Sequence, residues 1–110
     1  EPKNRKKDMV IVGGYNVYPR EIDEVLYTHP DISEVAAVGV ADEYRGEVVR
    51  ACVTLRDGAS TTSDELLEFC RQELAKYKVP AKIDILDEIA KTTVGKIDKS
   101  AVRELLKALA

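Results

Sequence analysis

The sequence predicts an α+β domain: a small, mostly antiparallel three-stranded sheet flanked by helices, with a short strand pair near the N-terminus. Three observations carry this. Ile32 to Val40 and Glu47 to Leu55 alternate as strands do, with Val49, Ala51, Val53 and Leu55 on one face, and the polar stretch Ala41 to Gly46 between them is too short for a parallel crossover. Apolar residues recur at helical spacing in three other segments. The chain has 110 residues, 45% of them hydrophobic and 34% charged, which suits one soluble domain with one core.

In chain order, Glu1 to Asp8 is charged, contains Pro2 and has no apolar periodicity, so it reads as a linker or hinge. Residues 9–110 form the fold proper. Met9 to Val12 is a short strand stopped by Gly13-Gly14, and Tyr15 to Tyr18 runs into Pro19, a favourable first residue of a helix. Ile22, Val25 and Leu26 then give a helix from Pro19 to about Thr28, ended by His29-Pro30 because the residue before proline is pushed out of the α region. After the two long strands, Asp57-Gly58-Ala59 turns the chain. Ser63, Leu66, Leu67, Cys70 and Leu74 describe a capped amphipathic helix from about Ser63 to Ala75. Tyr77-Lys78-Val79-Pro80 breaks it, Ala81 to Leu86 alternates Ile83 and Ile85 against Lys82 and Asp84 as a third strand, and Val102, Leu105, Leu106 and Leu109 make a closing helix that opens near Asp98.

Composition excludes several classes. A formal charge of -3 gives no general nucleic-acid surface, although Lys3, Arg5, Lys6 and Lys7 make the start locally basic. There is no apolar run long enough to span a membrane and no signal peptide, from which a cytoplasmic location is expected. Cys52 falls in a strand pattern and Cys70 on the apolar side of a helix, so both read as core thiols and neither as a metal ligand. His29, the single histidine, reads as a turn residue. No metal-ligand spacing, nucleophile elbow or paired-carboxylate frame is visible.

Two glycine-bearing loops remain. Lys91-Thr92-Thr93-Val94-Gly95-Lys96-Ile97, between a strand and a helix, combines two lysines, two hydroxyls and a glycine, as a loop meeting an anion would. The same residues fit a plain turn with a solvated lysine. A phosphate-binding P-loop is excluded, because its first glycine is missing and Ile97 stands where a magnesium-binding Ser or Thr is needed. Gly13-Gly14, alone, fits an ordinary turn after a strand.

Taken together, the string from Asn4 through Met9-Val10-Ile11-Val12-Gly13-Gly14-Tyr15-Asn16-Val17-Tyr18-Pro19-Arg20-Glu21-Ile22 to Asp23 and the Lys91 to Ile97 loop resemble the two signature motifs of one family. That family is the C-terminal lid domain of adenylate-forming enzymes: acyl-CoA synthetases, luciferases and peptide-synthetase adenylation domains. Glu34 to Val40, Tyr44-Arg45-Gly46-Glu47 followed by Val49-Arg50-Ala51, and Tyr77-Lys78-Val79-Pro80 are further landmarks, and the resemblance is strongest to bacterial long-chain fatty-acid CoA ligases. Departures are Ala90 and Ala41 in place of common prolines and Asn4 in place of an acidic residue or glycine. They touch loop rigidity and remove no charged working residue.

The resemblance implies a lid that serves two half-reactions by rotating, an ATP- and carboxylate-consuming adenylation and then thioester formation with CoA. It implies that Lys96 is the catalytic lysine of the first step, with Thr92, Thr93 and Gly95 supporting it. It implies that Lys7 is the hinge and that Gly13, Gly14 and Tyr15 form the CoA-side loop. ATP, Mg2+ and CoA would be used by the full-length enzyme, with none bound by this domain alone. The N-terminal adenylation domain would be the partner, and the enzyme would be cytoplasmic or peripheral to a membrane. A lid serving a carrier-protein ligase or an aryl-CoA ligase, and a stand-alone binding module, are the alternatives.

Overall fold

The computed structural model describes residues 9–109, so the expected linker at 1–8, with Lys7, lies outside the described residues. A five-stranded sheet forms the middle layer: β1 (Val10–Val12), β2 (Tyr15–Val17), β3 (Ile32–Asp42), β4 (Gly46–Leu55) and β5 (Lys82–Ile85). Three α-helices cover it, α1 (Pro19–Tyr27), α2 (Ser63–Glu73) and α3 (Lys99–Leu109), with a 3-10 turn at Lys76–Lys78. The α+β expectation holds, and the N-terminal strand pair joins the main sheet through the Val12↔Gly46 pair.

The long β3–β4 hairpin is the centre of the sheet, paired antiparallel from Ile32↔Leu55 to Asp42↔Gly46. The strands extend farther than the polar composition implied, leaving only Glu43–Arg45 as the turn, because Asp42 Oδ2 accepts hydrogen bonds from the Tyr44 and Arg45 amides. Along its other edge β4 pairs first with β1 and then with β5. The β5 strand runs parallel to β4, with α2 in the connection that parallel pairing demands.

Both faces of this hairpin are buried, which corrects the single apolar face read for β4. Val35, Ala37, Val49, Ala51 and Val53 meet Ile22 and Leu26 of α1 and Leu66 and Cys70 of α2 in one core. Ala36, Val38 and Cys52 meet Val102 and Leu106 of α3, with Ile89, in a second core. Strands sandwiched in this way read as near-continuous apolar runs. The buried Arg50 belongs to the second face, where Nη2 reaches Asp84 Oδ2 at 2.8 Å. That ion pair accounts for Asp84, while Ile85, expected inside, is exposed.

Other boundaries moved for local reasons. The capping residue of α2 is Thr62, whose Oγ1 accepts the Glu65 amide while the Glu65 carboxylate accepts the Thr62 amide, a reciprocal capping box. Helix α2 stops at Glu73, and Leu74 is already extended ahead of the 3-10 turn. In α3, Val102 and Leu106 are buried but Leu105 and Leu109 are exposed, so only half of the expected apolar face is used. His29 occupies the expected turn, its Nδ1 accepting the Asp31 amide.

Cys52 and Cys70 are buried free thiols, both pushed up to about 11 from an ordinary 9.0 by burial. The unfolded chain therefore loses these protons first, so their contribution to stability should be intact below pH 9 and lost as the pH rises through about 11. A urea midpoint that rises over this window would contradict that sign. Gly39 in β3 offers a second test, because a Cβ there would lie 2.5 Å from Val10 Cγ2. Gly39→Ala should destabilise the domain by about 1–3 kcal/mol through overpacking, read as a lower urea midpoint at unchanged slope.

Candidate functional site

The Lys91–Ile97 loop is closed by its own backbone. Lys91 and Ile97 form an antiparallel bridge, the Thr92 amide donates to Lys96 O at 2.7 Å, and the Gly95 amide donates to Thr92 O at 2.9 Å. Gly95 has φ +86, a left-handed conformation that a glycine adopts without strain. The Lys96 amide donates to Thr92 Oγ1, so Thr92 braces the turn, whereas Thr93 is exposed with Val94 at the tip. Two apolar residues anchor the ends: Ile89 is buried and Ile97 packs against the same core. Asp98 then caps α3, its Oδ1 accepting the Ala101 amide.

The two lysines of the loop differ. Lys91 Nζ lies 3.1 Å and 2.9 Å from the two carboxylate oxygens of Glu34 in β3. Lys96 is exposed and makes no ion pair with the described residues. Just beyond the loop, Lys99 Nζ lies 2.7 Å from Asp23 Oδ2 in α1, and Asp23 Oδ1 accepts the Ala37 amide of β3. Burial raises the Asp23 carboxyl above its ordinary value, against the opposing pull of Lys99 and of the Ala37 amide. Among the described residues the arrangement presents one uncompensated ammonium on a braced loop, which can bind and follow negative charge on a phosphate or carboxylate.

The Gly13-Gly14 loop is built differently. Val12 pairs with Tyr15, so the two glycines are the whole turn, and their φ values of 55 and 90 give the doubly left-handed two-residue hairpin that suits strand twist. Nothing lies within 4 Å of where a Cβ would sit on either, leaving the backbone open to close approach. Tyr15 stacks on Tyr77 at 4.5 Å between ring centroids. These rings, with Gly13, Arg45 and Lys76, line an open groove of about 420 Å³. The neighbouring Lys78 is tied to Glu21 at 2.7 Å, a bond that raises its ammonium above the ordinary value and fastens the 3-10 turn to α1.

Arg45 and Tyr77 were legible only as landmarks of a resemblance. Their meeting with Tyr15 depends on tertiary placement, for which the sequence carries no local signal.

The two loops sit at opposite ends of the β3–β4 ladder. The lysine loop is tied to Glu34, which pairs with Thr54, whereas the glycine turn follows Val12, which pairs with Gly46, the partner of Asp42. Eight residue steps of extended strand lead from Glu34 to Asp42, roughly 27 Å at about 3.4 Å per residue. Among the described residues no group of three or more His, Cys, Asp or Glu side chains is placed to hold a metal. No helix among the described residues is long and apolar enough to cross a membrane.

The family description "AMP-binding enzyme C-terminal domain" matches residues 21–96, ending on Lys96. A long-chain-fatty-acid–CoA ligase of Bacillus subtilis (strain 168) is 52% identical over 94 residues, covering 86% of this chain and 17% of that protein. The solved structure of a Mycobacterium tuberculosis fatty acyl CoA synthetase superposes with a TM-score of 0.87 at 40% identity, covering 94% of this chain and 20% of that one. Amide bond synthetase McbA from Marinactinospora thermotolerans gives a TM-score of 0.84 at 40% identity, covering 89% and 20%. The chain thus spans a fifth or less of the length of these relatives.

The glycine turn carries its own test. Gly14→Ala should cost about 1–3 kcal/mol from backbone strain alone, since a Cβ at φ +90 meets no neighbour. An unchanged urea midpoint would contradict the doubly left-handed turn.

Proposed function

This chain belongs to the family of AMP-binding enzyme C-terminal domains, and from that premise we propose that it is the lid of a fatty acyl-CoA synthetase, an AMP-forming acid–CoA ligase. In that reading residues 1–8 link it to an N-terminal domain holding the ATP and acyl pockets and Mg2+, and Lys7 is the hinge. The observation that carries the reading is the separation of the two loops, one offering an unpaired lysine and the other an open glycine turn beside stacked tyrosines. A single reaction centre can meet such loops in turn, by rotation of the lid, but not both at once.

The first half-reaction joins a carboxylate oxygen to the α-phosphorus of ATP and breaks the bond to pyrophosphate. Two anions must approach, and Lys96, unpaired within the lid, supplies the ammonium that lies between them and stabilises the charge in transit. Gly95 lets the loop backbone come close, Thr92 braces the turn, and Thr93, exposed at its tip, offers a hydroxyl to the adenylate side. In the second half-reaction the CoA thiol attacks the acyl carbonyl and AMP leaves. Gly13, Gly14 and Tyr15 then border the thiol's path, where missing side chains give room. The free thiols Cys52 and Cys70 fit a reducing compartment such as the cytoplasm. The likeness to an amide bond synthetase supports a second reading, in which the same first step is followed by transfer to an acceptor other than CoA, such as an amine.

The test is Lys96→Ala in the full-length enzyme. Adenylation should fall by roughly 10²–10³-fold, about 3–4 kcal/mol as for the loss of one preorganised charge donor, while thioester formation from supplied acyl-adenylate survives. Adenylation at the wild-type rate would make Lys96 a solvated loop residue and end this reading.

A further inference from the structure

We propose that the Glu34–Lys91 ion pair is a positioning device for adenylation, fixing the loop on which Lys96 stands; the proposal rests on the assignment of Lys96 to that step. Residues 91–96 are all exposed, so no core packing holds the body of the loop. Apart from the apolar anchors at its ends, the described residues show one side-chain attachment from the loop to the sheet, Lys91 to Glu34. One ammonium bridges both carboxylate oxygens, which fixes the direction of approach as well as the distance.

Glu34 takes its face by alternation with Ala36, and a bulge just before it turns Ile32 to the opposite face. The register shifts between Ile32 and Glu34, so Ser33 is an extra residue in a β-bulge, a device that re-aims side chains. Without it Ile32 would share a face with Glu34, Ala36 and Val38. With it, Ile32 joins the core beneath α1 and α2, and Glu34 lies on the strand face shared with Ala36, which packs with Ile89 and Ile97 beside the loop.

Half-exposed ion pairs add little to stability, and this one leaves Lys91 40% and Glu34 29% exposed. Its consequence is electrostatic and geometric. Glu34 neutralises Lys91, so an arriving anion meets Lys96 as the uncompensated cation of the loop. It also restrains a turn in which a misplacement of about 1 Å can cost about 10²-fold in rate.

The experiment measures both half-reactions of the full-length enzyme for Glu34→Gln, Lys91→Met, the exchange of Glu34→Lys with Lys91→Glu, and Lys96→Ala. Each single change should lower kcat for adenylation roughly 10-fold or more with little change in the KM for ATP, and leave thioester formation from supplied acyl-adenylate intact. The exchanged pair should recover most of the loss, and the urea midpoint of the single variants should stay near wild type. Equal loss in both half-reactions, no loss, or no recovery in the exchanged pair would overturn the proposal. If Lys96→Ala leaves adenylation intact, the reading of Lys96 fails and the proposal fails with it; if only Lys96→Ala impairs it, the positioning role alone is wrong.

Discussion

Burial of the β3–β4 ladder on both faces is the constraint from which the rest of the domain follows. With Val and Ala on alternate sides, the hairpin needs a layer of helix on each face, and α1 with α2 and α3 supply them. Because β3 borders one side of β4, the other side is divided between β1 at its start and β5 farther along. This division places the glycine turn at one end of the ladder and, through Ile89 and Glu34, the lysine loop at the other. Separation of the two loops is thus built into the strand pairing.

Charge is distributed on the same frame. Arg50–Asp84 is a largely buried pair that joins β4 to β5, and Arg50 Nη1 also donates to Leu106 O of α3, so the guanidinium ties three elements together. Asp23–Lys99 joins α1 to the first residue of α3, while Lys78–Glu21 joins the 3-10 turn to α1. Each of these pairs bridges two elements. Lys96 departs from that pattern: it is exposed and makes no ion pair among the described residues, which sets it apart from Lys78, Lys91 and Lys99.

Much of this was legible in the sequence because the relevant signals are local. Pro19 at the start of α1, the polar break before β4 and the spacing of Leu66 and Cys70 each act within a few residues, and each element appeared where its pattern placed it. The parallel pairing of β5, the exposure of Leu105 and the second buried face of β4 were not legible, since they depend on which elements come to lie opposite one another. The site divides in the same way. Lys96 and Gly13-Gly14 stand out within short motifs, whereas Glu34 beside Lys91 and Tyr77 on Tyr15 join residues far apart in the chain. A bulge at Ser33 leaves no mark in a run whose neighbours all suit a strand.

The central claim is that the two ends of the ladder visit one reaction centre in turn. It is tested most directly by paired-label distances in the full-length enzyme, with one label fixed beside the N-terminal domain's pocket and the other at exposed Val94 or exposed Glu43. With a fatty acid and a non-hydrolysable ATP analogue, the account predicts a short Val94 distance and a long Glu43 distance. With an acyl-adenylate analogue and CoA it predicts the reverse. Distances that stay fixed in both states, or that shorten and lengthen together, would contradict it.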